Sequence, residues 1–213
     1  MKDYDINELK REVRITLDQN STGGQLVSLA DIDALMLESV IESKLTDAAR
    51  VVEMNAPEYL LSPGKDADDT SVEWEVGNMG TITLPEDFMR LVVFEMSDWE
   101  RPVVNAISAT DPMYALQKSR WSGLKGTPER PVVAVVPGES GNVLEFYTCT
   151  DGGESVRMFQ YVPIPKVDES GKLCLCERLK SAVVYYAAYL VALSMGENEL
   201  AQALSGTANE LMK

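Results

Sequence analysis

Histidine is missing altogether from this 213-residue chain. That absence removes the commonest general base, the usual metal ligand and every nucleophile arrangement that relies on an imidazole. Any chemistry has to come from carboxylates, lysine, tyrosine or cysteine. Cysteine is scarce too: Cys149, Cys174 and Cys176 are an odd number at spacings that suggest no disulfide framework. Cys174 and Cys176 would offer zinc two thiolates, but with Cys149 the only other cysteine and no histidine, four ligands are not available. The expectation is two half-buried thiols at a strand-to-helix junction, with no metal and no cofactor. Glycine-rich phosphate loops are also missing. No glycine-rich run ends in Lys-Ser or Lys-Thr as a nucleotide loop does, and no G-x-G-x-x-G follows a strand.

Positive charge is in short supply. Nineteen Lys and Arg stand against 34 Asp and Glu, a net −15, and such a surface repels phosphate backbones rather than gripping them. Long apolar runs are lacking as well. The longest, "SAVVYYAAYLVALSM" from Ser181 to Met195, makes a helix of roughly 22 Å, whereas a bilayer core needs about 20 residues to cross roughly 30 Å. Glu177, Arg178 and Lys180 precede it, and Gly196 and Glu197 follow. A membrane span is therefore not expected; a helix apolar on most sides is one buried in a core. The opening "MKDYDINELKREV" has no apolar leader segment, so a cytoplasmic origin is the default expectation.

What is present is an ordinary globular composition, 45% hydrophobic and 25% charged. Asp5 followed by Glu8 makes a capping-box-like start, after which Ile6, Leu9, Val13 and Leu17 recur at helical spacing up to the breakers of "NSTGG". Ser28 is a good cap for a second helix with Leu37, Ile41, Leu45, Ala48 and Val52 on one stripe, stopping before Pro57. "SPGKDADDTS", Ser62 to Ser71, reads as an exposed loop. The period then changes: "VEWEV", "TITLPEDF" and "RLVVFEM" read as strands, and Asp111 with Pro112 caps a short helix near 111–119. "RPVVAVV", "NVLEFYT" and "SVRMFQYV", separated by "PGESG" and "CTDGGE", predict a three-strand antiparallel meander. Helix returns from about Cys176 to Ser194, Gly196 stops it, and Asn198 caps a last helix carrying Leu200, Leu204, Ala208 and Leu211. The expected class is α+β: a helical bundle from residues 1–60 and 174–213, with a β-rich insertion at 72–168 built around the antiparallel meander.

Candidate sites are few. Asp66, Asp68 and Asp69 resemble the opening of a calcium loop, but the glycine and glutamate that complete one are missing, which favours a solvated acidic loop. Glu86 with Asp87, or Glu95 with Asp98, would be the carboxylate pairs of a hydrolase. A small-molecule or glycan-binding module would use loops 137–142 and 149–155, with Trp74, Trp99 and Trp121 as stacking surfaces. Tyr185, Tyr186 and Tyr189 form an aromatic patch suited to packing or to a neighbouring subunit.

Five segments carry a resemblance: the helical N-terminus, "LPEDFMRLVVFEM", "GTPERPVV", "YVPIPK" and "LKSAVVYYAAYLVALSMGENELAQAL". Together they resemble the head-to-tail adaptor, or first ring protein, of short-tailed bacteriophages, including the crAss-like group. The last segment carries most weight, since in that family a long Ala- and Tyr-rich helix ends in a Gly-Asp or Gly-Glu turn before a shorter helix beginning Leu-Ala. The resemblance runs from about Leu84 to Leu204. It implies a non-enzymatic virion protein at the head-to-tail junction, present in the host cytoplasm during assembly. Such a protein forms a homo-oligomeric ring, commonly twelvefold, under the portal protein, extends the DNA channel without specific DNA binding, and docks later tail proteins. It further implies that Tyr185, Tyr189, Asn198, Leu200, Leu204 and Leu211 lie at portal or subunit interfaces.

Overall fold

A computed structural model describes residues 1–20, 31–67, 70–75, 79–119, 121–138, 141–150 and 152–213. In chain order they form strand β1 (Lys2–Asp5), helices α1 (Ile6–Asn20), α2 (Asp31–Asn55) and α3 (Glu58–Leu61), then strands β2 (Lys65–Asp66), β3 (Glu73–Glu75), β4 (Met79–Thr83), β5 (Phe88–Met96) and β6 (Ile107–Ser108). Helix α4 (Pro112–Gln117) precedes β7 (Val133–Gly138), β8 (Gly141–Phe146), β9 (Val156–Pro163) and β10 (Lys172–Leu175); α5 (Lys180–Ser194) and α6 (Asn198–Leu211) end the chain. The protein is thus a mixture of helices and several mainly antiparallel sheets. It divides into two compact units, Met1–Ser62 with Ile164–Lys213, and Pro63–Pro163.

The first unit is mostly helical. Asp5 accepts hydrogen bonds from the backbone N–H of Asn7 (2.7 Å) and Glu8 (3.4 Å), which satisfies donors that the first turn of α1 leaves open. The α1 stripe Ile6, Leu9, Val13 and Leu17 is buried, as are Ile41, Leu45, Ala48 and Val52 of α2. Each of the larger side chains contributes roughly 1.5–3 kcal/mol by leaving water. Helix α5 packs against α1, α2 and α6. Its buried residues are Ala182, Val183, Val184, Ala187, Ala188, Val191 and Ala192. Gly196, at φ 81°, takes the left-handed conformation that ends the helix and turns the chain into α6. No helix among the described residues is long and apolar enough to cross a membrane.

Several sequence expectations are corrected here. β1 and β10 were not anticipated, yet they pair antiparallel from Lys2↔Leu175 to Asp5↔Lys172 and join the two ends of the unit. Asn198 is the first residue of α6 rather than its cap, and the preceding Glu197 makes no side-chain capping bond. Ser28, the proposed cap of α2, and Asp68 and Asp69 of the acidic loop lie outside the described residues.

The second unit holds two sheets, ordered β2-β9-β5 and β3-β4-β8-β7-β6. β7 and β8 form the expected hairpin. The third strand of the expected meander does not join it: β9 pairs with β5 and β2 instead, while β4 takes the other edge of β8. The fit of β4 to β8 depends on Gly80, opposite Phe146 on β8. A Cβ at Gly80 would fall 2.3 Å from the Phe146 ring, so only glycine lets that ring lie over β4. The stretch read as an open loop, Ser62–Ser71, contains β2, whose Lys65 lies opposite Tyr161. The first and last strands of this unit are therefore neighbours, and the unit closes on itself. Its core is aromatic: Phe94 lies 5.3–5.5 Å from the rings of Trp99, Phe146 and Phe159, which bring both sheets into one cluster.

Candidate functional site

Helices α1 and α5 meet along a shallow groove of about 180 Å³ lined by Glu12, Ile15, Thr16, Ser181, Val184 and Tyr185. Ile15 is exposed although α1 carries a buried apolar stripe. The α1 stripe that faces inward, Leu9, Val13 and Leu17, leaves Ile15 on the other side. Lys180 at the start of α5 is held by Glu12 at 2.5 Å and Glu8 at 3.8 Å, and it lies 5.0 Å from the Tyr4 ring centre. One lysine thus ties α1, α5 and β1 together and settles one end of the groove. Tyr185, Tyr186 and Tyr189 are all half-buried, and the rings of Tyr186 and Tyr189 meet edge to face at 5.2 Å. Among the described residues none of their hydroxyls has a hydrogen-bond partner, so each keeps a polar group available at the surface.

The residues expected at an interface differ in exposure. Tyr185 and Tyr189 are half-buried on α5; Asn198 is exposed at the start of α6; Leu200 is half-buried. Leu211 is 40% exposed near the C-terminus, whereas Leu204 is 1% exposed and packed inside the helical unit. Leu204 therefore has no surface to offer a neighbour. Helical spacing alone put Leu204 with Leu200 and Leu211; the contact with α5 separates them. Ile15 was missed by the sequence reading, and Leu193 and Met195, part of the helix expected to be buried, are exposed as well.

Of the carboxylates read as catalytic pairs, Asp87 and Glu95 are engaged elsewhere. Asp87 accepts from Lys65 and from the Tyr161 hydroxyl, each at 2.8 Å. Burial works to raise its pKa, but these two donors outweigh burial and hold the carboxyl below its usual value. Glu86 beside it is exposed. Glu95 is buried and paired with Arg157 at 3.1 Å. Of the tryptophans, Trp99 is buried in the aromatic core and Trp74 stands edge-on to Phe146, while Trp121 is 63% exposed. They do not form a common stacking surface. Asp66, the described acid of the supposed calcium loop, accepts from the Gln160 side chain at 2.8 Å.

Cysteines 174 and 176 sit at the end of β10. The Cys176 backbone N–H donates to buried Glu53 at 2.8 Å, and burial pushes that carboxyl up to about 7. Burial raises the Cys174 thiol to about 11 and the Cys176 thiol to about 12, with Asp3 adding to the first and Glu53 to the second. Inert thiols in a packed junction are what such values describe. A different cluster brings Asp98, Cys149 and Glu154 together in the β-rich unit, their ligand atoms all within 4.8 Å of one another. Sequence reasoning missed it because Asp98 is remote in the chain; the short spacing from Cys149 to Glu154 was the only local signal.

No protein-family model matches this sequence, and no curated protein matches it either.

Proposed function

We propose that this chain is a structural subunit of a phage head-to-tail junction, an adaptor that forms a ring beneath a portal protein, extends the DNA channel and docks later tail proteins. The observation that carries the reading is the hairpin α5–Gly196–α6. The segment with the strongest resemblance to the adaptor family folds as one helical pair, and it leaves Tyr185, Tyr189, Leu193 and Met195 at the surface. Unpartnered tyrosine hydroxyls beside exposed aliphatic side chains suit a protein interface, where aromatic residues with a polar tip are favoured. In this reading the N- and C-terminal helices are one bundle and the β-rich unit is its insertion. An acidic lumen, supplied by part of the −15 net charge, lets duplex DNA slide without the phosphate contacts that would retain it. A glycan-binding module has less support, because only Trp121 offers a well-exposed indole ring.

The test is analytical ultracentrifugation of the purified chain, alone and mixed with the portal protein encoded beside it. Co-sedimentation as a ring-sized complex, lost in a Tyr189→Asp, Leu193→Asp double variant that still folds, is the expected result. A chain that stays monomeric and ignores the portal overturns the reading.

A further inference from the structure

The Asp98–Cys149–Glu154 cluster is assembled by strand pairing. Met96 at the end of β5 lies opposite Val156 at the start of β9, so Asp98, just past the one, and Glu154, just before the other, face each other across the ladder. The Ser97 N–H donates to the Ser155 carbonyl at 2.9 Å, and Ser155 N–H to the Ser97 hydroxyl at 3.2 Å, which holds the two backbones together. Cys149 arrives from the end of β8, and Thr150 donates to Asp98 Oδ2 through both its N–H (2.9 Å) and its hydroxyl (3.0 Å). Three chain segments thus converge on two carboxylates and one buried sulfur.

Two atoms around the cluster are unsatisfied. Asp98 Oδ1 is buried and has no donor among the described residues. The indole N–H of Trp99, in a side chain 4% exposed, sits beside the Cys149 sulfur but has no acceptor at hydrogen-bonding geometry among the described residues. A buried acceptor without a donor and a buried donor without an acceptor are each costly to leave unmade. A cation in the cluster answers both: it takes Asp98 Oδ1 as a ligand and holds Cys149 as a thiolate, a far better acceptor for the indole N–H than a thiol.

We propose that Asp98, Cys149 and Glu154 bind a divalent cation of the zinc class, with a water in the fourth position. One thiolate with two carboxylates suits a borderline-soft ion rather than calcium or magnesium, which take oxygen ligands throughout. Tetrahedral coordination at about 2.0–2.3 Å places ligand atoms roughly 3.5 Å apart, so atoms already within 4.8 Å of one another need draw together by no more than about 1 Å. As the sulfur–metal bond forms, the thiol proton leaves to water and the ion's charge is offset by three anionic ligands. The ion would tie the turn after β5 to the segment between β8 and β9. This site is independent of the adaptor reading.

Cadmium titration of the full chain tests it, because a cadmium–thiolate bond gives an ultraviolet charge-transfer band. The band is expected to saturate at one ion per chain and to persist in a Cys174→Ser, Cys176→Ser variant. It should vanish in Cys149→Ser, and Asp98→Asn or Glu154→Gln should weaken binding by at least the roughly tenfold that even outer partners of a metal contribute. Zinc should compete for the site and raise the melting midpoint of the wild type. If Cys149→Ser does not fold, as circular dichroism would show, the less buried Glu154→Gln carries the test alone. A band that survives Cys149→Ser in the folded chain, no band at all, or full affinity in both carboxylate variants overturns the proposal.

Discussion

The two units build their cores from different side chains. In the helical unit small residues, Ala48, Ala49, Ala182, Ala187 and Ala188, are fully buried on α2 and α5 among aliphatic ones such as Leu9, Leu17, Ile41 and Leu45. Alanine lets helix axes approach closely but removes little apolar surface per residue, so many residues share the stabilisation. In the β-rich unit a few large rings, Phe94, Trp99, Phe146 and Phe159, meet in one cluster. Each carries a large share and touches several others. The first core should be intolerant of added volume and the second of lost volume.

The largest expected effect is therefore a truncation in the aromatic core. Phe94→Ala removes a fully buried ring that touches three others, and about 3–5 kcal/mol of stability should go with it. Urea unfolding measures the loss; a change below about 1 kcal/mol would mean that the rings do not carry the unit.

Next comes the polar exception inside the helical unit. Glu53 is buried, and its carboxyl is raised from 4.5 to about 7 chiefly by burial. Between those values the folded chain holds a proton that the unfolded chain has released. The residue's contribution is therefore fully favourable below about pH 4.5 and lost as pH rises to about 7, by about 3 kcal/mol. Glu53→Gln should flatten that slope and leave the protein more stable than wild type at pH 8, as thermal melts across pH at fixed ionic strength would show. Equal pH profiles would show that the carboxylate is accommodated without cost.

Overpacking should have a somewhat smaller effect. Ala188→Leu inserts a side chain where α5 has no space, at about 1–3 kcal/mol, whereas the same change at exposed Ala203 should be nearly neutral. If both variants unfold alike, the small-residue core is not close-packed. The smallest effect belongs to the cap. Asp5→Ala removes the acceptor for two N–H groups of α1 and should cost about 1 kcal/mol. Asp5→Asn should recover most of it.

Much of the local structure was legible in the residues themselves. The capping of α1 by Asp5, the Pro112 start of α4, the β7–β8 hairpin and the Gly196 stop all depend on neighbours within a few positions, and each stands where the pattern put it. Helix α5 was legible as buried because it is apolar on most sides. The choice of strand partners was not. β9 has the alternation of a meander strand, but pattern says only that it pairs, not with which edge; β4, whose Gly80 accommodates the Phe146 ring, lies on that edge of β8, and β9 pairs with β5. The short strands β1, β2 and β10 were invisible for a related reason. Two to four residues carry too little periodicity to register, and they exist because a partner distant in the chain satisfies their hydrogen bonds.

The same division holds for the candidate sites. The absence of histidine, the acidic balance and the lack of a membrane-length apolar run are properties of composition, and no fold alters them. Which side chains stand together is a property of packing. Leu204 left the surface because α6 folds onto α5, and Asp98 met Cys149 and Glu154 because β5 runs against β9. Interactions between near neighbours are encoded in spacing, whereas those between distant residues come into being only when the chain closes on itself: the α5–α6 surface is of the first kind and the Asp98–Cys149–Glu154 cluster of the second.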